Sequence, residues 1–303
     1  MPVPSSTSPA TEAAKGRIHN IGYRHYDGPR LGRSYATRSL LVQSLRGAYG
    51  LGRSAKSKVL PMILFAVMCM PAGIIVAVAV FTKMKDLPLD YTSYAIYLQA
   101  VIGIFLAAQA PQAVSRDLRF KTVPLYFSRP IERIDYVFAK FAAMTGAVFI
   151  LTAAPLVVLY IGALLAKLSF GTQTKDFAAA LLAALLLSLL YAGLGLVIAA
   201  LTPRRGFGVA AIIALFTISY GAVSSVQAIA GEQGNETVAG WLGLFSPVTL
   251  IDGVQSWALG AEPSSPAGPP NAFAGTVFVL VLLGAIAGSF GLLLLRYRKV
   301  GLS

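Results

Sequence analysis

Residues 91–140 read YTSYAIYLQAVIGIFLAAQAPQAVSRDLRFKTVPLYFSRPIERIDYVFAK. The first 25 carry no Asp, Glu, Lys or Arg, and the next 25 carry six Lys or Arg. About 20 uncharged apolar residues suffice to cross a bilayer's hydrocarbon as a helix. Five more windows have the same character: 59–82, 141–166, 177–203, 206–231 and 263–295. Mean hydropathy is +0.70, with 56% hydrophobic and only 12% charged residues, too few to clothe a water-soluble domain of 303 residues. Lipid offers the backbone no hydrogen-bond partners, so only helices and closed barrels cross it. Barrel strands alternate polar and apolar residues, and these runs do not. The pattern predicts an all-α integral membrane protein with six transmembrane helices, at about 59–82, 93–114, 141–166, 177–201, 207–230 and 273–295.

Charge sets the expected orientation. With six spans and the N-terminus inside, the inner segments hold 21 of the 25 Lys and Arg, against Lys83, Lys85, Lys167 and Lys175 outside. Both termini are therefore expected to be cytoplasmic. The pI near 10 follows from topology, and no nucleic-acid partner is expected, because basic residues and exposed aromatics do not gather on a soluble face. Cys69 is the single cysteine, which leaves no intrachain disulfide. The opening MPVPSSTSPATEAAKGR has the composition of a disordered tail within a cytoplasmic segment 1–33. A basic cytoplasmic tail is expected at 296–303.

Residues 238–259, VAGWLGLFSPVTLIDGVQSWAL, are long enough to cross but carry Asp252, Pro247 and Gly253. A seventh crossing would also move Arg296, Arg298 and Lys299 outside. The expectation is an external re-entrant hairpin before the last span, broken at Pro247 and Gly253, with Trp241 and Trp257 at headgroup level.

Residues 34–58 read as a cytoplasmic amphipathic interfacial helix. Arg38, Arg46 and Arg53 recur at helical spacing beside Leu41, Leu45 and Ala48, a pattern suited to membrane lipids or to a partner, although Gly47, Gly50 and Gly52 weaken a long helix. GAYGLGRS (47–54) falls one residue short of a phosphate-binding loop, with Arg53 in the lysine position and no preceding strand. His19 and His25 make a poor metal site. No catalytic residue, metal site or cofactor site is expected in this chain.

The spans contain no ionisable residue of the kind that drives ion-coupled transport or a proton relay, and no nucleophile–base pair for intramembrane hydrolysis. Their polar side chains include Gln99, Gln109 and Gln112 in the second span and Ser219, Tyr220, Ser224 and Gln227 in the fifth. These either bond between helices or line a path for an amphipathic solute. Gly284 and Gly288 give the last span a small-xxx-small face.

The loop 115–140 is more than a topology signal. Pro124 closes a short first piece, Pro130 suits the first turn of a second helix, and Ile131, Ile134, Phe138 and Phe141 form a stripe leading into the third span. Arg116, Asp117, Arg119, Phe120, Lys121, Tyr126 and Arg129 give its first half a mixed-charge, aromatic surface suited to docking a soluble protein.

In layout from Ser34 onward, and in DLRFKTVPLYFSRPIERIDYVFAK, the chain resembles ABC-2-type ABC transporter permeases of bacterial exporters. Ser128, Arg129, Pro130, Ile131, Arg133, Tyr136 and Lys140 match the family's inner-loop pattern, and IGYRHYDGPRLGR (21–33) is similar to the N-terminal signature of a bacterial subset. Asp117 stands near the place where the family often has Glu. The resemblance implies a subunit of the bacterial inner membrane that works as one of a pair, with a second copy or a paralogue. An ABC ATPase would dock at 116–128, with ATP and Mg held on that partner. It also implies that the second and fifth spans line the path and that transport is export. The residues alone leave open a non-transporting membrane anchor or sensor that recruits a cytoplasmic protein.

Overall fold

The computed structural model describes residues 22, 28, 31–84, 86–120, 122–127, 131–202 and 204–300. The segment Met1–Leu31 forms a separate unit that lies almost wholly outside the described residues. With it go the predicted disordered tail, His19, His25 and most of the 21–33 stretch. The account below concerns the unit Gly32–Ser303.

All regular structure among the described residues is helical. Five helices or helix runs are long and apolar enough to cross a bilayer, and a bent pair supplies a sixth. The first is α2 (Ala55–Thr82), preceded by α1 (Arg33–Ala48). The second span is the bent one: α3 (Tyr91–Tyr97) meets α4 (Gln99–Ala110) and its continuation at 58°. The third and fourth spans are α7 (Arg133–Leu165) and α8 (Phe170–Leu201). The fifth combines α9 (Arg205–Ile213) and α10 (Ser219–Glu232), and the last is α13 (Ala272–Val300).

The third and fourth spans form the centre, with 44% and 56% of their most apolar windows buried within the chain. The first, fifth and last have only 17–22% buried, so most of their surface faces outward. Helices approach closely where glycine removes a side chain. A Cβ on Gly162 would lie 2.1 Å from a Val76 methyl, so α2 crosses α7 there almost backbone to side chain. Such small-residue crossings drive helix association in lipid, where hydrophobicity does not distinguish neighbour from solvent.

Two spans contain a turn of π-helix, Pro111–Ser115 in the second and Ala214–Ile218 in the fifth. Proline explains the first. Pro111 lacks the N–H that would reach the Ala107 carbonyl, and its ring crowds the preceding turn, so the ladder widens. The freed polar groups find partners. Gln112 Nε2 donates to the Ala108 carbonyl at 3.0 Å, and Ser115 Oγ donates to the Ala199 carbonyl of α8 at 2.7 Å.

The segment before the last span is a broken helical hairpin: α11 (Glu236–Leu242), a 3₁₀ turn Gly243–Phe245 and α12 (Pro247–Leu259). The break falls at Ser246–Pro247, where Pro suits the first turn of a new helix. The expected second break at Gly253 does not occur. Gly253 continues α12 because the ring of Phe278 on α13 occupies the place of its side chain, 2.4 Å from a built Cβ. Asp252 is fully buried, and its carboxylate accepts from the backbone N–H groups of Ser264 (3.1 Å) and Ser265 (2.6 Å). The loop 260–271 thus folds back to satisfy a charge that lipid would not tolerate. Trp257 packs against Gly275 on α13, and Trp241 meets Phe273 edge-on.

These contacts set expected stabilities for variants of the hairpin. Gly253→Val should lower stability by about 1–3 kcal/mol by overpacking against Phe278. Asp252→Ala should cost about 1–3 kcal/mol for each buried N–H it orphans. Gly284→Ala, at an open position, should leave the melting temperature of the detergent-solubilised protein unchanged. Intrinsic-fluorescence melts check all three.

Candidate functional site

The loop between the second and third spans folds into two short helices, α5 (Arg116–Arg119) and α6 (Val123–Phe127), before α7 begins. The turn between them is closed by the Thr122 N–H donating to the Asp117 carbonyl at 3.0 Å. Pro124 lies in the first turn of α6, so the break precedes it. Ser128, Arg129, Pro130, Lys121 and the side chain of Arg116 lie outside what is described.

Asp117 organises the loop. Its Oδ2 accepts from the Tyr136 hydroxyl at 2.7 Å and lies 3.0 Å from Lys140 Nζ. Tyr136 and Lys140 are four residues apart and so share one face of α7. Tyr136 is fully buried and Lys140 nearly so. The Tyr136 ring packs between Tyr126 of α6 and Tyr297 of α13, with centroids 5.4 and 5.0 Å away. Val123 is buried as well. One side of the loop is therefore fastened to the bundle by an ion pair, a hydrogen bond and tilted ring contacts. The other side carries Arg119, Phe120 and Leu125, with Phe120 and Leu125 64% and 68% exposed. Arg119 lies over the Phe120 ring at 5.8 Å.

The expected stripe on the second helix is only half buried. Ile131 and Phe141 face inward, but Ile134 and Phe138 are exposed. The inward positions go to Tyr136, Val137 and Lys140. Asp117 makes burial of a lysine affordable and so rotates the helix away from its most apolar face.

α1 is fixed to the same end of the bundle. The Arg33 guanidinium bonds both carboxylates at the start of α7, with Nε 2.6 Å from Asp135 Oδ2 and Nη1 on Glu132 Oε1. The Asp135 hydrogen bond raises the Arg33 pKa, though the pair is open to water and adds little stability. Leu45 reaches Gly146, and the Tyr49 hydroxyl donates to the Ala147 carbonyl at 2.7 Å. The Leu41, Leu45 and Ala48 side of α1 thus packs on the protein, while Arg38 and Arg46 face outward.

Helix α1 stops at Ala48, so Arg53 is not on it. Gly50 and Gly52 turn the chain with φ of +69° and +82°, and a Cβ on Gly50 would strike the Ser57 carbonyl at 2.4 Å. GAYGLGRS is thus the elbow between α1 and α2. After the turn Arg53 stays exposed, and its Nη1 donates to Gln112 Oε1 at 3.0 Å. Arg53, Gln109, Gln112, Asp117, Tyr126 and Lys140 then line one polar cavity of about 200 Å³.

The candidate path residues do not converge. Gln109 and Gln112 belong to this cavity, whereas Gln99 is buried toward the other end of α4. Ser219 donates to the Leu215 carbonyl and shares a hydroxyl–hydroxyl contact with Ser246 Oγ, and Gln227 Nε2 donates to the Ala239 and Ala267 carbonyls. Those two fasten the fifth span to the broken hairpin. Tyr220 packs on the core, and Ser224 points its hydroxyl into a buried position between helices. Sequence reading missed the partnership of Asp117 with Lys140. The i, i+4 spacing of Tyr136 and Lys140 with one acid just upstream was its available signal.

Apolar spans packed round two central helices, with a fastened polar loop at the basic end, define a multi-pass helical membrane protein. Over residues 5–302 the sequence matches the family described as ABC-2 family transporter protein, and the chain belongs to that family. It is a permease subunit of an ABC transporter, a membrane transport component. No curated protein matches the chain.

The ion pair should show strong coupling in a double-mutant cycle. Asp117→Ala leaves Lys140 buried without a partner and should cost about 3–5 kcal/mol. Asp117→Ala combined with Lys140→Met should be less destabilised than Asp117→Ala alone. Chemical-denaturant midpoints in detergent check the ordering.

Proposed function

We propose that this chain is the membrane half of an ATP-driven exporter. Two permease chains, either two copies or this chain and a paralogue, would act with two ABC ATPase subunits that hold ATP and Mg. In this reading the basic end faces the cytoplasm of a bacterium and the chain lies in the inner membrane. The observation that carries the proposal is the two-sided loop at 116–127. Its inner side is held on α7 through Asp117 and Tyr126, with Val123 buried, and its outer side offers Arg119, Phe120 and Leu125. A surface meant only to keep charge inside would not need an ion pair behind it. A rigid loop, by contrast, can pass a push from a docked ATPase into the third span.

The same reading gives roles to surfaces left open within one chain. A Cβ built on Gly284 or Gly288 would meet no neighbouring helix within 4 Å, and the fifth span is largely uncovered. Both suit contact with lipid and with a second permease. The path residues do not meet in one chain, which suits a path completed between two chains. An uncharged, Gln- and Ser-bearing lining favours an amphipathic or lipophilic solute.

The test is coupling in a reconstituted complex with the cognate ATPase. Phe120→Ala with Leu125→Ala should cut solute-stimulated ATP hydrolysis by about tenfold, at about 1.4 kcal/mol of lost interface energy. The melting temperature of the permease should not change. Coupling at the wild-type level in this variant, or after residues 116–128 are scrambled, would sink the proposal.

A further inference from the structure

The outward side of α1 and the elbow after it enclose an open groove of about 650 Å³. Arg38, Arg46 and Arg53 all line it, with Gln43 between them. No Asp or Glu occurs between Asp27 and Asp86, and the carboxylates of Asp135 and Glu132 are taken by Arg33. Among the described residues, Arg38 and Arg46 have no hydrogen-bond or ion-pair partner, and Arg53 has only a neutral one, Gln112 Oε1. Three guanidiniums without a counter-charge around one concavity repel each other, and an anion would relieve that cost.

The rim of the groove tells which anion. Val42, between Arg38 and Arg46 on the same face of α1, and Leu51 line it too and are 41% and 44% exposed, so apolar and cationic side chains share the groove. It opens just before α2, whose apolar run starts at Val59 with Lys56 and Lys58 ahead of it. A free phosphate has no use for these apolar side chains at the mouth of a span. A phosphodiester joined to acyl chains matches both halves.

We propose that this groove binds the phosphodiester headgroup of an anionic phospholipid and that Arg53 carries its occupancy to the second span. Arg53 is the shared wall between the groove and the inner polar cavity. Inside that cavity Gln109 is 4% exposed and makes no hydrogen bond to any described residue, so the cavity has an unclaimed polar side chain. A headgroup that draws Arg53 outward competes with the Gln112 bond and alters the polar contacts of the π turn after α4. By linkage, the Gln112 bond and the lipid oppose each other. This mechanism adds a regulator to the permease reading, but the binding step needs no ATPase and can be measured without one.

The experiment is lipid retention by the purified full-length chain in detergent, read by native mass spectrometry against titrated phosphatidylglycerol and phosphatidylcholine. Wild type should retain phosphatidylglycerol preferentially. Arg38→Gln and Arg46→Gln should each weaken it about fivefold, and the triple variant with Arg53→Gln more. Arg298→Gln, a basic residue elsewhere at the same end, should have no such effect. Gln112→Ala should tighten binding by a few-fold, because it frees Arg53. Both single variants alter exposed side chains, and a melt of each confirms folding. Equal retention by wild type and the folded single variants would overturn the site. Displacement of the lipid by millimolar inorganic phosphate would overturn the lipid assignment in favour of a free anion. Unchanged affinity in Gln112→Ala would overturn the link through Arg53.

Discussion

A half-buried carboxylate at the end of an apolar bundle must be compensated, and Asp117 sets the local geometry by the way this is done. Its partners, Tyr136 and Lys140, both lie on α7, the helix that α1, α2 and α8 all pack against. Because the pair is largely desolvated, its Coulombic attraction is less screened than that of Arg33 with Asp135 at the surface. The consequence is a helix rotation: Lys140 turns inward and Ile134 and Phe138 turn out. The loop cannot slide along α7 without breaking this bond.

The hairpin before the last span solves the same problem with backbone. Asp252 takes two N–H groups from the segment that follows α12, so one buried charge fixes the path of some ten residues with no regular structure. Asp117 and Asp252 lie at opposite ends of the bundle, by the loop before α7 and the loop after α12. A buried or half-buried acid thus helps to order each end, and the six apolar runs between them carry no ionisable side chain. That division suits a molecule whose spans rearrange by sliding apolar surfaces while its ends remain rigid.

Much of this was legible in the sequence. Uncharged runs longer than a bilayer gave the six spans, because hydrocarbon tolerates few alternatives. The break at Pro247 followed from the missing N–H of proline. Gly253 misled because glycine marks a break only where nothing else explains it, and here a ring 25 residues later, Phe278, takes up the space. The apolar stripe Ile131–Ile134–Phe138–Phe141 misled for another reason. Hydrophobic periodicity locates the buried face only in water, and beside a bilayer the exposed face is apolar too. Arg38, Arg46 and Arg53 were read as one helical face by spacing, yet Gly50 and Gly52 break the helix. The three arginines meet round a groove through a turn that spacing could not describe.

The two π turns link the local geometry to motion. They occur in the second and fifth spans, and α4 packs on α9, so the widened turns lie in neighbouring helices. A π turn stores one residue more than an α turn, and such turns concentrate at working positions in membrane and soluble proteins alike. The first is bounded on one side by Gln112, which holds Arg53, and on the other by Ser115, which holds α8. It leads without interruption into Arg116 and Asp117, the start of the fastened loop. A displacement of that loop therefore meets, within one or two turns, the one stretch of the second span whose hydrogen-bond ladder is already out of register. Pro111 has no N–H to restore an i→i+4 bond to the Ala107 carbonyl, so the widened turn is built into this stretch of the span.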